Sequence, residues 1–207
     1  MVGVRMTTGW YIAFEGAEGC GKSTHAARLA ATLDAVLTRE TGGTAIGARI
    51  REILHDTSVT NLSHRAEALM AAADRAQHIE QVVAPALAAG RHVVSDRTVY
   101  STLAYQGYGR GLPLQDIRSI NEWAVDGHWP ELVLLLVAPP EMVERRMRKR
   151  QLDRFEQEDA GFHQRVLAGF LEMAANDPHH WVVIDAGLDV DTVGATIRQA
   201  VTDRLGL

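Results

Sequence analysis

The sequence predicts an α/β protein: a three-layer α/β/α sandwich with a five-stranded parallel sheet, in one domain with a short lid. Two observations carry this. Short apolar runs alternate with helix-length amphipathic segments along the whole chain, with no repeat and no linker between them, as β–α units with parallel strands require. One run, Leu132-Val133-Leu134-Leu135-Leu136-Val137, is apolar at every position, the mark of a strand covered on both faces. At 207 residues the chain fits a single domain over 1–207 and can bury a substantial core.

The first strand covers 10–15 and runs into Gly16-Ala17-Glu18-Gly19-Cys20-Gly21-Lys22-Ser23. G-x-x-x-x-G-K-S between a strand and a helix is the phosphate-binding P-loop pattern, so the sandwich is of the P-loop NTPase kind. Glycines are needed because successive backbone N–H groups must curl around an anion in dihedrals that a Cβ obstructs. The helix N-terminus adds orphan donors and partial positive charge. Lys22 is placed to reach the β- and γ-phosphates and the Ser23 hydroxyl to ligate Mg²⁺. Gly16, Ala17, Glu18, Gly19, Cys20, Gly21, Lys22, Ser23 and Thr24 form the candidate cradle for a nucleoside triphosphate.

A helix follows over 21–33, with Ala26, Leu29, Ala30 and Leu33 as its buried stripe. A short strand at 35–37 ends in Thr38-Arg39-Glu40-Thr41-Gly42-Gly43-Thr44, and a helix is expected over 45–55. Ser63, with Glu67 a turn later, caps a longer helix carrying Leu69, Met70, Ala73 and Ile79 at helical spacing. Pro85 is expected to kink or end that helix and Gly90 to close it. The third strand, 91–96, ends on Asp96, and a helix is expected from near 113 to about 126. Pro130-Glu131 opens the fourth strand, Pro139-Pro140 a helix over 141–150, and the polar stretch 151–161 leads into a helix through about 175. A strand at 181–184 and a helix over 190–205 complete the pattern, with the lid at about 146–161 and residues 1–8 as a flexible leader.

Composition narrows the function. Hydrophobic residues at 46% and charged residues at 23% describe an ordinary globular protein, and a formal net charge of -5 argues against a general nucleic-acid or anionic-membrane binder. One cysteine, Cys20, excludes an intrachain disulfide framework and suits a reducing cytosol, and no signal peptide is apparent, so a cytoplasmic location is expected. The longest apolar run, 132–138, is too short to span a bilayer. The nine histidines lack the pairing of a zinc site, and His179-His180 reads as a loop.

Two further groups carry chemistry. Asp96 stands where a strand of the P-loop sheet ends, the edge at which ligands gather; it can hold Mg²⁺ or cap the next helix, and Arg97 beside it can grip a second phosphate. Arg145, Arg146, Arg148, Lys149, Arg150 and Arg154 form either a solvated basic face or a lid that brings arginines to a transferring phosphoryl group. The P-loop itself, with Ala17, Gly19 and Cys20, offers no arginine, so compensating charge must come from elsewhere. A GTP switch is excluded because Lys22 and Lys149 are the only lysines and no Asn-Lys-x-Asp signature exists. A motor ATPase or a catalytically silent nucleotide-binding regulatory module remains an alternative, separable by whether turnover requires an added monophosphate.

The ordered set Gly16–Ser23, Thr38-Arg39-Glu40-x-Gly42-Gly43-Thr44, Asp96-Arg97, Ala104-Tyr105-Gln106-Gly107, Leu152-Asp153-Arg154-Phe155-Glu156 and Ile184-Asp185-Ala186 resembles the bacterial thymidylate kinases with lid arginines, members of the P-loop nucleoside monophosphate kinases. The resemblance runs from about residue 11 to 202. It implies transfer of the ATP γ-phosphoryl group to dTMP, giving dTDP and ADP with Mg²⁺, in dTTP synthesis. It implies catalytic roles for Lys22, Arg97 and the lid residues Arg150, Arg146 and Arg154, of which Arg150 is the first choice. The acceptor would meet Glu18 at its sugar, Arg97 and Arg39 at its phosphate, Arg75 at its base, and Tyr105 at the 2′-deoxy position, with Ala71 and Thr102 alongside; Ser23 and Asp96 would serve the metal. The loop after Ile184 would lie beside adenine, and a homodimer is implied, with no nucleic acid or membrane partner.

Three positions depart from the family pattern, all on the acceptor side. Ala71 stands where a phenylalanine stacks on thymine four residues before the base-binding arginine, Thr41 where a proline makes a rigid turn, and Thr98 where an aromatic or histidine is usual. Either Met70, Tyr100, Tyr105 or Tyr108 fills the space left at Ala71, or the pocket is retuned for another or a modified pyrimidine deoxynucleotide.

Overall fold

A computed structural model describes residues 9–148 and 151–207. Five parallel strands, β1 (Tyr11–Glu15), β2 (Val36–Arg39), β3 (Val93–Asp96), β4 (Leu132–Val137) and β5 (Trp181–Asp185), form one sheet in the order β2-β3-β1-β4-β5. The central strand β1 therefore carries the P-loop. Its α1 (Lys22–Leu33) leads to β2 across β3, leaving a crevice beside β1 at the carboxyl edge, where ligands bind in open parallel sheets. Phe14 and Arg39 both pair with Asp96, so three strand ends converge there.

Two-residue periodicity divides the core. Ile12, Phe14, Leu132, Leu134 and Leu136 face α1 and α9 (Val190–Leu205), against Ala26, Leu29, Val193, Ile197 and Val201. Ala13, Val133 and Leu135 face the opposite layer, against Leu54, Tyr105, Phe155, Phe162, Val166 and Phe170. That layer includes α2 (Ala45–His55), α3 (His64–His78) and, after α4 (Ala84–Ala88), α5 (Val99–Thr102), α6 (Leu114–Val125) and α8 (Ala160–Asn176). In the chain, α7 (Pro140–Met147) lies between β4 and the lid. Thr44, Ser63, Asp159 and Asp189 each accept a backbone N–H at the start of α2, α3, α8 and α9.

Three sequence expectations change. Pro85 does not end its helix: α3 passes through a π turn, Ile79–Val83, and α4 restarts so that Pro85 falls in a first turn, where its missing N–H has no partner to lose. The stretch after Asp96, given no element, is helical, with α5 continuing as a π-helix, Leu103–Gly109. Third, the helix expected over 141–150 is α7, ending at Met147. The leader 1–8, Lys149 and Arg150 lie outside the described residues.

Candidate active site

The P-loop glycines adopt the backbone the motif demands. Gly16, Gly19 and Gly21 have φ of 136°, 71° and 99°, and a Cβ at Gly16 would stand 2.3 Å from the Leu136 carbonyl oxygen. Lys22 is buried and donates to the Ala17 carbonyl at 2.8 Å, its Nζ 3.7 Å from Cys20 Sγ. Ser23 and Thr24 are exposed at the start of α1, and the Ser23 hydroxyl donates to the Asp96 carboxylate. These are two hard oxygen ligands at the edge of the phosphate cradle. Mg²⁺ needs little more from a protein, because water and phosphate fill its other positions, so the donor set fits that ion. Among the described residues no group of three His, Cys, Asp or Glu forms a closed metal cage.

The cradle opens into a cavity of about 520 Å³. It is lined by Glu18, Gly19, Cys20, Gly21, Lys22, Ser23, Thr24, Arg39, Ala71, Arg75, Asp96, Arg97, Thr102, Tyr105 and Arg146. Gly16 and Ala17 contribute carbonyls: Gly16 accepts from Arg97 at 3.1 Å, and Ala17 holds Lys22. Ala186, Leu188, Val190 and Val193 line the P-loop end, where Arg146 donates to the Gly19 carbonyl at 2.8 Å. Arg154 is turned elsewhere. It donates to Glu67 Oε2 at 2.7 Å and to the Leu54 carbonyl at 2.8 Å and does not line the cavity, so the expected role on a transferring phosphoryl group is not the one this geometry presents.

Arg97 is the hinge between the two ends. It has φ 72°, a left-handed backbone that costs an ordinary residue about 1–2 kcal/mol. Its N–H is held by the Phe14 carbonyl at 2.9 Å, and its guanidinium donates to Gly16 O, Ser101 Oγ, Glu18 Oε1 and Tyr105 OH. Burial works against its charge, but Glu18, Tyr105, Glu15 and Asp96 outweigh it and keep Arg97 firmly protonated. The turn is fixed from below by Glu15, fully buried, which accepts from Thr98 N at 2.8 Å, Thr98 Oγ1 at 2.8 Å and Ser101 Oγ at 2.6 Å. Burial raises the Glu15 carboxyl above its usual range, with Arg97 and those donors opposing the rise. Thr98 thus has a definite place: its hydroxyl and N–H bind Glu15 beneath the cavity.

Arg75 is 1% exposed and committed. Nε bonds Glu40 Oε2 at 2.8 Å, Nη1 bonds Asn121, and Nη2 bonds Thr98 O at 3.2 Å and Thr102 Oγ1 at 3.0 Å, so four of its five N–H groups are used. Burial works to raise the Glu40 carboxyl, but Arg75 and His78 prevail and hold it below its usual range. The turn expected to lose rigidity at Thr41 is tied instead by Gly42 N to Asp74 Oδ1 at 2.9 Å and Arg51 Nη1 to Thr41 O at 3.1 Å; its Glu40–Thr41 peptide is cis.

Arg51, Leu54 and His55 line the cavity without having been singled out in the sequence, and Glu67, Gln106 and Phe155 line it although sequence reading assigned them no role in the site. Arg51 lies close enough to Arg39 that burial and that neighbour lower its guanidinium from the ordinary value, two cations gathered as an anion site would need. Of the four residues proposed to fill the space at Ala71, only Tyr105 lines the cavity, and Phe155 joins it. Glu15 did leave a signal: a carboxylate ending an otherwise apolar strand directly before the glycine loop.

A family model for thymidylate kinase matches residues 14–197. The thymidylate kinase of Trichlorobacter lovleyi is 44% identical over 209 residues, covering 95% of this chain and 99% of the relative. That of a Synechococcus strain, JA-3-3Ab, is 48% identical over 201 residues, covering 94% and 96%. The crystal structure of thymidylate kinase from Ehrlichia chaffeensis superposes with a TM-score of 0.79 at 29% identity, covering 94% of this chain and 99% of that one.

Proposed function

Because the chain belongs to the thymidylate kinase family, an ATP-dependent nucleoside monophosphate kinase, we propose that dTMP is its acceptor and dTDP and ADP its products, with each cavity residue in the role below. The observation that carries the reading is the single cavity in which the P-loop and the Arg97–Glu18–Tyr105 cluster face each other. One end is built for a triphosphate and the other for a second anion beside a polar, half-aromatic surface.

The residues divide the work by charge. Phosphoryl transfer asks little covalent help from a protein, so positioning and neutralisation carry the rate. Lys22 leaves the Ala17 carbonyl for the β- and γ-phosphates, and the backbone N–H groups from Gly19 to Thr24 cradle the rest. Arg97, Arg39 and Arg51 hold the acceptor phosphate against repulsion from the donor. Glu18 receives the acceptor sugar, and Tyr105, edge-on to Phe155, closes the 2′ position. Arg146 follows the transferring group from the lid, and Arg150 with it. Mg²⁺, which Ser23 and Asp96 would hold, would supply charge neutralisation. Ala186, Leu188 and Val190 pack on adenine. No side-chain nucleophile is required, since an acceptor phosphate oxygen attacks.

We also infer a homodimer, supported by apolar side chains left exposed on one layer: Ile46 and Ile53 of α2, Leu69 of α3 and Trp123 of α6, the last 88% exposed. A cytoplasmic location accords with the single buried thiol.

ADP release measured with a panel of dTMP, dUMP, dCMP and AMP tests the acceptor. Turnover is expected only with an added monophosphate and Mg²⁺, and to be fastest with dTMP. Equal rates with dCMP or AMP would overturn the thymidylate assignment.

A further inference from the structure

Beside the phosphate cradle, a second set of buried charge surrounds Glu67. Its carboxylate is fully buried and accepts four hydrogen bonds: Gln106 Nε2 at 2.8 Å, Arg110 Nε and Nη2 at 3.1 Å each, and Arg154 Nη2 at 2.7 Å. Arg110 pairs onward with Glu158 at 2.6 Å, so two guanidiniums meet two carboxylates and the cluster is neutral. Burial works to raise the Glu67 carboxyl, yet Arg110, Gln106 and Arg154 outweigh it and keep the group ionised. A buried pair of this kind contributes little net stability, but losing one member strands the others without solvent. It fixes geometry.

What it fixes is the segment 151–158. Arg154 reaches Glu67 from that segment, and its Nε and backbone N–H are held by the carbonyls of Leu54, at 2.8 Å, and His55, at 3.2 Å. His55 Nδ1 also bonds Asp153 Oδ2 at 2.7 Å, while Asp153 Oδ1 accepts the N–H groups of Phe155 and Glu156. The Arg154 guanidinium lies 4.6 Å from the Phe155 ring centre, and that ring packs edge-on to Tyr105 and His55. Phe155 is thereby clamped with one surface on the cavity, which it helps to line.

The third observation is on α3. Glu67, Ala71 and Arg75 are spaced i, i+4, i+8 on one helix face, and all three line the cavity. The middle position offers only a methyl group to a flat base.

We infer that Glu67 is a positioning residue: by fixing Arg154 it holds the Phe155 ring as the aromatic wall of the acceptor cavity, the wall that α3 leaves bare at Ala71. The inference rests on the monophosphate-kinase reading and adds to it how the base is gripped. A nucleobase has two π faces and gains from an aromatic neighbour without any hydrogen bond. Because the clamp already holds segment 151–158, the base meets a ring whose position is set before it arrives. Arg146, which precedes this segment in the chain, meets the P-loop at Gly19.

Steady-state kinetics with dTMP and ATP on Phe155→Leu, Phe155→Tyr, Arg154→Met, the double variant R154M/F155L and Glu67→Gln test this. Phe155→Leu keeps apolar bulk and loses the π surface; its KM for dTMP should rise about tenfold, with kcat and the KM for ATP moving less than about threefold. Phe155→Tyr should restore the KM. Arg154→Met and Glu67→Gln should raise the same KM, and the double variant should be no worse than Phe155→Leu alone, because Arg154 acts through the ring. A fall in kcat of about 10³ for Arg154→Met with an unmoved KM for dTMP would overturn the inference, by placing Arg154 on the transferring group. Multiplying effects in the double variant would do the same. Should Glu67→Gln fail to fold, the Arg154–Phe155 cycle decides alone. If the wild-type enzyme phosphorylates no monophosphate at all, it is the kinase reading that falls. Hydrogen exchange of the Phe155 and Glu156 amides then tests the clamp by itself: faster exchange in Arg154→Met supports it, and unchanged exchange refutes it.

Discussion

Replacing Glu15 by Gln changes one oxygen to an amide nitrogen at an unchanged volume, and its consequences can be worked from the hydrogen bonds around it. Glu15 Oε1 accepts both Thr98 donors and Oε2 accepts the Ser101 hydroxyl, which in turn accepts from Arg97 Nη1 at 3.0 Å. In the variant, if the carbonyl oxygen keeps Thr98, the new NH₂ faces a Ser101 oxygen that already receives Arg97. The Ser101 proton then has no acceptor, and Arg97 loses a buried counter-charge. One charge-assisted bond is worth about 1.5–3 kcal/mol, and the left-handed Arg97 backbone stores about 1–2 kcal/mol that the Glu15 bonds now offset. If that loss falls on the position of Arg97, kcat/KM for dTMP should drop by about 10- to 100-fold. The KM for ATP should change by less than about twofold, since no Glu15 bond reaches the donor end. The assay is ADP release at varied dTMP and saturating ATP, with thermal unfolding followed in parallel. A variant that melts earlier while keeping wild-type kcat/KM for dTMP would refute the reasoning, because Glu15 would then support the fold without holding Arg97.

Lys22→Met should lower kcat by about 10²–10³-fold while leaving dTMP binding, measured calorimetrically, within about twofold; near-normal turnover would remove Lys22 from the reaction. Ala71→Phe should not tighten dTMP, because Ala71 is only 6% exposed and Phe155 already lines the cavity; a lower KM would show an unfilled aromatic site on α3. Glu40 is held below its ordinary value of 4.5 by Arg75 and His78 against the opposing effect of burial. Its stabilisation is therefore fully present above about pH 4.5 and lost as pH falls through the lower folded value. Thermal midpoints measured down to pH 3 should fall more steeply for the wild type than for Glu40→Gln, and parallel curves would contradict the assignment. Trp123→Glu should convert a dimer to monomer by light scattering, and an unchanged mass would place the subunit contact elsewhere.

Local chemistry made much of this molecule legible. The β1–loop–α1 unit could be read because the loop's glycines, its lysine and the flanking periodicities are adjacent in the chain, and the structure returns α1 one residue shorter than expected. The fully apolar run at β4 and the closing helix over 190–205 were read to the residue for the same reason: burial on two faces, or on one stripe, writes its own period. The π segments carry no such period. Gly107 and Gly109 lie within the stretch given no element, where a Cβ at Gly107 would stand 2.5 Å from Leu114 Cδ2 and one at Gly109 2.6 Å from Phe162 Cε2. These glycines serve close packing, and the partners that reveal it lie elsewhere in the sequence.

The same limit governs Arg154, and it bears on how lid arginines are identified. A basic run has one composition whether its side chains face water, phosphate or a buried carboxylate. What distinguishes Arg154 from Arg146 is the partner, Glu67, 87 positions away. Glu67 itself reads from sequence as an ordinary first-turn acid behind the Ser63 cap, favourable to the helix macrodipole. Only folding brings Gln106, Arg110 and Arg154 to that carboxylate. The lid charges therefore divide by what they touch: Arg146 meets the P-loop at Gly19, and Arg154 meets Glu67 on α3. An arginine whose donors go to a buried carboxylate can thus be told from one that faces the phosphate cradle only by the partner that folding brings to it.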